Sequence, residues 1–419
     1  MYLKKKALLG RGLFILLVGI IACTGCSLSL SAPDSEAEEI ECLADFETVA
    51  RWRVHKGECT IEADRAQSIE GKQSLRLTIP EGEDCYIRMD FRENLISAPV
   101  DLSGYSLAVQ YMLQRGEIEL MSFYYVTGDR MTDLYYGAGL VDTCGNDTGR
   151  WMTSASHVPA NFDADGNPRW DSIKTLAIRV KAEAGSGDVV INFDNWIMLP
   201  IPPECMITFI FDDGFSTDFT VAHGIMSEYG YAGVSFVITE TIGNDGRLTI
   251  EQLQTMESDG WDIGSHTLTH PWLEDLDETA QTLEVVKSKE QLIECGLERG
   301  SRFFCAPHGT NSYVSHVTDV IGEHYLLATA GGGFATLPVL NRAHVPRIAW
   351  DGTTLEDIRS YIDVAAEDRL WLIFAAHSMT GDDVTKFEET VDYVHEMGIR
   401  VVTLSEVVDS MDWVYPPMS

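Results

Sequence analysis

From Met206 onward the chain alternates between two hydrophobic patterns. Short apolar runs rich in β-branched residues predict buried strands at 206–211, 233–238, 261–265, 302–306, 325–330, 345–349, 371–376 and 400–404. Between them, stretches with a helical period predict helices at 216–229, 249–259, 277–295, 312–323, 354–367 and 383–397. Such alternation points to a parallel sheet rolled into a closed or distorted (β/α) barrel, with its chemistry at the C-terminal ends of the strands. From Ala44 to Pro200 the texture differs. Strand-type runs at 74–79, 85–91, 107–113, 118–126, 173–180 and 189–192 are punctuated by turn signals, and no long helical period intervenes. This predicts an all-β sandwich, with half or more of the tryptophans at 52, 151, 170 and 196 in its core.

The N-terminus has a different character again. Lys4, Lys5, Lys6 and Arg11 precede the apolar run from Leu13 to Ala22, which is the layout of an export signal rather than of a spanning helix. The run ends in IIACTGC, which resembles a lipoprotein cleavage box, and either Cys23 or Cys26 fits as the lipidated residue. An uncleaved anchor would tether the protein to the same membrane face. The expected division is an export signal at 1–26, a flexible tether at 27–43, the sandwich at 44–200, a linker at 201–205, the barrel at 206–410 and a tail at 411–419. The expected location is outside the cell, either secreted or tethered to the outer face of the cytoplasmic membrane.

Among 419 residues the formal net charge is −35, which argues against nucleic acid as a partner because its phosphates would repel the chain. Nine cysteines occur without any CxxC pair, so a zinc-ribbon reading fails. Seven lie beyond the export region, an odd number that leaves at least one free, and Cys305 is the candidate.

Three predicted strand ends carry residues that core packing does not explain. The first delivers Asp212 and Asp213, the third runs into His266 and His270, and the seventh ends at His377. Adjacent carboxylates repel, so a fold keeps them together when one is neutralised by a cation and the other is left free to take protons. Two histidines four apart, added to an aspartate, make a three-ligand metal site with an open position for water. An Asp-Asp-Gly turn and an incidental histidine pair are the bland readings. Their convergence on one barrel rim weighs against both.

These residues resemble the motifs of the polysaccharide deacetylase family, carbohydrate esterase family four, also called the NodB-homology domain. FDDG at 211–214 matches its first motif and HTLTH at 266–270 its second. FCAPHG at 304–309 matches the third in outline, and the segment ending in His377 matches the fifth. The resemblance implies that Asp213, His266 and His270 bind a divalent metal, zinc foremost, with cobalt, manganese or nickel as alternatives. It also implies that Asp212 is the catalytic base and His377 the general acid. Pro307, His308 and Gly309 would form the turn that receives the substrate oxyanion. The chain departs from the family where Cys305 stands in place of an arginine that orients the base, where His308 replaces a tyrosine and where Ala375 replaces a leucine. HVPRIAWDG at 344–352 takes the place of the fourth motif and brings Arg347, which is expected to replace the missing arginine; a surface ion pair is its alternative role.

More thinly, the segments DFE, GKQSLRLTI and VVINFDNWIM resemble galactose-binding-type jelly-roll modules, which implies a carbohydrate-binding module or a spacer. The expected activity is metal-dependent removal of N-acetyl or O-acetyl groups from a cell-surface or extracellular polysaccharide or oligosaccharide. A non-catalytic glycan-binding protein with a decayed barrel and a cyclic-amide hydrolase on the same barrel are the alternatives.

Overall fold

The computed structural model of the protein describes residues 41–91, 99–129, 131–138, 148–157, 162–200, 203–335, 339 and 342–410. The export signal with Cys23 and Cys26, nearly all of the tether, residues 201–202 of the linker, Cys144 and the tail lie outside these residues. Among the described residues no helix is long and apolar enough to cross a membrane.

The N-terminal part is β throughout. Its strands are β1 (Glu41–Ala44), β2 (Arg53–Lys56), β3 (Thr60–Asp64), β4 (Ser74–Ile79), β5 (Asp84–Asp90) and β6 (Tyr105–Arg115). There follow β7 (Ile118–Val126), β8 (Leu134–Ala138), β9 (Trp151–His157), β10 (Asp163–Asp165), β11 (Thr175–Ala182) and β12 (Val189–Pro200). They form two six-stranded antiparallel sheets, one ordered β3-β4-β12-β6-β9 with β1 added on β12, the other β10-β8-β7-β11-β5-β2. Alternate residues of β4 (Leu75, Leu77, Ile79) and β5 (Cys85, Ile87, Met89) enter one shared core, as period-two burial requires. Trp52 and Trp196 lie in that core and stack at 6.3 Å, while Trp170 packs against it. Cys59 and Cys85 are joined as a disulfide. The all-β expectation matches these sheets; β1, β2, β3, β8, β9 and β10 are additional to the expected runs, and most are short, at three to five residues.

The second part contains β13 (Met206–Asp213), β14 (Val234–Val237), β15 (Asp262–Ser265), β16 (Phe303–Cys305), β17 (Leu327–Gly331), β18 (Val345–Ala349), β19 (Trp371–Ala376) and β20 (Arg400–Val401). All pair in parallel in the order β14-β15-β16-β17-β18-β19-β13-β20. The additional pairing of β14 with β13 closes a ring of seven strands. The helices α1 (Gly224–Ser227), α2 (Ile250–Ser258), α3 (Glu278–Glu294), α4 (Ser315–His324), α5 (Leu355–Asp368) and α6 (Asp382–Glu396) separate the strands. The expected helix over 216–229 is for six residues a π-helix, Asp218–His223, before α1 begins.

Burial along β13 is split by side. Met206 and Ile210 belong to the core inside the ring, whereas Ile207, Phe209 and Phe211 pack outward beneath the helices with Phe374 and Phe387. The inner series continues to Asp212. On β18 the inner Val345 leads to Arg347, and on β19 Trp371 and Ile373 lead through Ala375 to His377. Parallel register aligns these ends, since Phe211 pairs with Ala376 and so sets Asp212 level with His377.

The opposite end of the ring is stoppered by α7 (Leu404–Ser410), whose Leu404 and Val407 join the inner core. Its entry is fixed by Asp262, a fully buried carboxylate that accepts from the Ser405 amide at 2.7 Å, the Ser405 hydroxyl at 2.6 Å and Arg299 Nε at 3.1 Å. Beside it Gly300 lies so close to β15 that an added Cβ would sit 2.2 Å from the Ile263 amide nitrogen and 2.5 Å from its carbonyl oxygen. Neither backbone atom has room to retreat. Gly300→Ala is therefore expected to destabilise the barrel by about 2 kcal/mol or more, measured as a lower denaturant midpoint in chemical unfolding.

Candidate active site

At the C-terminal end of the ring the chain turns sharply after Asp213. Asp213 has φ +73° and Gly214 φ +66°, so the side chain that strand alternation would send outward is swung back over the mouth. The turn is held by Arg247 Nη1, which donates to the Asp213 carbonyl at 2.7 Å, and by the Leu248 amide, which donates to the Gly214 carbonyl at 3.0 Å. Across the ring, β15 leads into the loop His266–His270, where Thr267 and His270 also have positive φ, +65° and +69°. Four of the nine non-glycine residues with positive φ among those described, namely Asp213, Thr267, His270 and His308, lie around this mouth. Such strain persists only where the surroundings over-determine it.

Glu284 of α3 does much of that work. Its carboxylate is buried and accepts from the Leu268 amide at 3.0 Å, the Thr269 amide at 2.9 Å and the Thr269 hydroxyl at 2.7 Å. The loop is thereby fixed, and with it both histidines.

His266 and His270 direct Nε2 at one oxygen of Asp213, Oδ1, at 3.5 Å and 3.2 Å. The His266 Nδ1–H donates to the Cys305 carbonyl at 2.7 Å, which leaves Nε2 as a lone pair. Burial drives the His266 pKa down to about 4, so the ring is neutral near pH 7. The Asp213 carboxyl is held at about 2: burial would raise it, but the hydrogen bond from His270 and the nearby imidazoles outweigh burial. A lone pair facing a carboxylate oxygen is repulsive unless a cation lies between them. The two nitrogens and one oxygen lie within 4.8 Å of one another, so the donor set and its electrostatics fit a divalent metal.

Asp212 is treated differently. It is 1% exposed, and burial alone would raise its pKa; Arg347 Nη1, 2.7 Å from Oδ2, reverses this and keeps the carboxyl ionised, with His266 and His377 adding to the effect. The close contact runs through one guanidinium nitrogen to one oxygen. Cys305, where the family resemblance places an arginine, is a free thiol 4.0 Å from Asp212 Oδ2, and burial pushes its pKa up to about 12. It stays a neutral, weak donor and leaves the cationic partnership to Arg347.

His377 Nδ1 lies 2.5 Å from Asp351 Oδ2, and this pairing raises the imidazole pKa to about 8 despite its partial burial. Asp351 is the functional residue that sequence reasoning missed. It stands in the WDG that follows Arg347, where the expected Asp-x-x-Asp-Trp motif is not evident, and an acid placed after the sixth strand end was the available signal. Of the third-motif turn, His308 has φ +59° and is exposed, and its ring meets that of His270 edge-on at 4.5 Å. Proline has no amide hydrogen, so Pro307 can only shape this turn; donors must come from His308 and Gly309.

Residues 201–323 match the family model described as polysaccharide deacetylase, so over this segment the chain is similar to that class of hydrolase. The curated Bacillus subtilis protein YxkH, named provisionally as a polysaccharide deacetylase, is 34% identical over 89 residues. That stretch is 21% of this chain and 32% of the relative, so the chain spans about a third of the length of the curated protein it matches. Among solved structures, the Xyl-CE4 domain of a multidomain xylanase from the hindgut metagenome of Trinervitermes trinervoides is 17% identical. The comparison covers 52% of this chain and 94% of that one, with a TM-score of 0.38. The deacetylase PplD of Streptococcus pyogenes, solved with acetate, is 26% identical over 34% of this chain and 62% of its own, with a TM-score of 0.32.

The His377–Asp351 pair is directly measurable. The imidazole is expected to titrate near pH 8 by NMR, and in Asp351→Asn to fall by about one unit toward its ordinary value. Because the folded pKa is raised, the pair contributes stability that is complete below pH 6.5 and lost as pH rises through about 8. An unshifted resonance in the variant would contradict the assignment.

Proposed function

We propose that the barrel is a metal-dependent hydrolase that removes acyl groups, N-acetyl foremost and O-acetyl as the variant, from a cell-surface or extracellular polysaccharide. The observation that carries this reading is the convergence, at one barrel mouth, of Asp213, His266 and His270 with two separately partnered groups, Asp212 on Arg347 and His377 on Asp351. The family match at 201–323 supports the same class.

In this reading Asp213, His266 and His270 hold the cation, zinc foremost. When bound, it would polarise the acyl carbonyl and make a water acidic enough to attack near neutral pH. Asp212 is ionised, and its Oδ1 is buried with no hydrogen-bond partner among the described residues, so it is the atom free to take the proton of the attacking water. Arg347 is a positioning residue that fixes the other oxygen and preserves the charge. His377, protonated below about pH 8 and tied through Nδ1 to Asp351, presents Nε2 to hand a proton to the departing amine or alcohol. The amides of His308 and Gly309 supply donors for the developing oxyanion.

The N-terminal sheets fit a carbohydrate-binding or spacer module of galactose-binding type, and the leader fits an export signal with a lipid or signal anchor. Both proposals rest on sequence resemblance. A decayed, non-catalytic barrel is disfavoured because every charged group the chemistry needs has kept its partner.

Three outcomes are expected. The purified protein should carry about one equivalent of divalent metal by elemental analysis, and His270→Ala should lose most of it; full retention would break the ligand assignment. Asp212→Asn should retain metal while acetate release from N-acetylglucosamine oligomers drops by about 100-fold or more. Arg347→Lys should also keep the metal. Weakening the pair lets the Asp212 carboxyl pKa rise, so the acidic limb of the rate profile should move to higher pH; an unchanged profile would remove Arg347 from its positioning role.

A further inference from the structure

Trp272 lies two residues beyond His270 and is 47% exposed, unusual for the largest apolar side chain in a loop that is otherwise anchored. Its indole lies flat on the His308 imidazole, with ring centroids 3.8 Å apart and planes 9° from parallel. His308 in turn contacts the ring of His270, so the stacked pair abuts the metal-type cluster. The backbone beneath is rigid. Leu273 is fully buried, its carbonyl accepts from Gln281 Nε2 at 2.9 Å, and the Asp275 amide donates to the Trp272 carbonyl at 3.1 Å. The two loops are tied together where the Ser312 hydroxyl donates to Glu274 Oε2 at 3.1 Å. One indole face is covered by His308, yet nearly half of the residue remains in water, so the other face is open.

We propose that the Trp272–His308 stack is a carbohydrate subsite, in which the open indole face receives the C–H face of the pyranose ring next to the sugar that loses its acyl group. This deepens the polysaccharide hydrolase reading and rests on it for the identity of the ligand. A flat, fixed aromatic surface suits a sugar ring because it covers the apolar C–H face without ordering a flexible side chain, while the ring hydroxyls stay at the wet rim. His308 does two jobs in this arrangement: its backbone serves the reacting carbonyl and its ring sets the height of the shelf.

The test is isothermal titration of the full protein with the tetramer of N-acetylglucosamine and with an acetylated xylose tetramer. Trp272→Ala is expected to weaken whichever tetramer binds by about tenfold, and to raise KM for it comparably more than it lowers kcat. Trp272→Tyr should restore binding to within about twofold. Leu283→Ala, which removes an exposed apolar side chain elsewhere on α3, should leave it unchanged. Unaltered affinity in Trp272→Ala, or no binding of either tetramer by the unaltered protein, overturns the subsite. Hydrolysis of a soluble aryl acetate by the unaltered protein reads the chemistry separately. Its absence alongside lost tetramer binding in Trp272→Ala would overturn the hydrolase reading and support the subsite.

Discussion

Two neighbouring carboxylates at a barrel mouth stay ionised together only if each is stabilised by partners of its own, and the rest of the barrel is arranged to meet that condition. Asp212 follows the inward series of β13 and meets Arg347, which arrives by the same alternation on β18. Asp213 is turned away by its positive φ toward the two imidazoles of the opposite loop. One peptide unit thus sends two identical groups into different electrostatic surroundings. Under the proposed function, that difference would separate a group able to hold a cation from one able to exchange protons.

The supporting layer is as polar as the site it holds. Glu284 occupies three donors of the histidine loop, Asp351 fixes the tautomer and charge of His377, and Arg247 pins the Asp-Asp-Gly turn. None of these need touch a substrate. Each spends hydrogen bonds on the loops of the mouth or on the His377 ring, which allows strained loops to persist in one geometry.

The barrel was legible because its strands are buried on both faces and read as continuous apolar runs, with helices between them. The rim residues Asp212, Asp213, His266, His270 and His377 stood out as polar groups at the ends of those runs. Arg347 could be inferred because the family resemblance places an arginine where this chain has Cys305, and Arg347 lies near the end of a later strand of the same barrel. Asp351 escaped notice because it lies past the strand end in a WDG turn, where an acid normally signals only a turn. The π-helix after β13 escaped because its buried positions, Asp218, Ala222 and then Met226, recur every four residues, a spacing that an α-helix gives equally. In the first domain the edge strands were hidden, since β2 and β3 are largely exposed, only four and five residues long, and carry few apolar side chains.

Placing the cationic partner on β18 has a consequence for the shape of the molecule. Arg347 reaches Asp212 from a strand separated from β13 by β19, so their contact spans the lumen instead of linking neighbours. Proton affinity at Asp212 and closure of the ring are then two readings of one equilibrium. A fluctuation that parts the walls releases the guanidinium and lets the acid take up a proton, and by thermodynamic reciprocity a proton taken up at that acid loosens the walls. Because the folded carboxyl is more acidic than the unfolded one, this contribution to cohesion is present above the ordinary aspartate range and fades as pH falls through the depressed value. In acidifying surroundings the barrel would slacken and the Asp212 carboxylate would be neutralised in the same event.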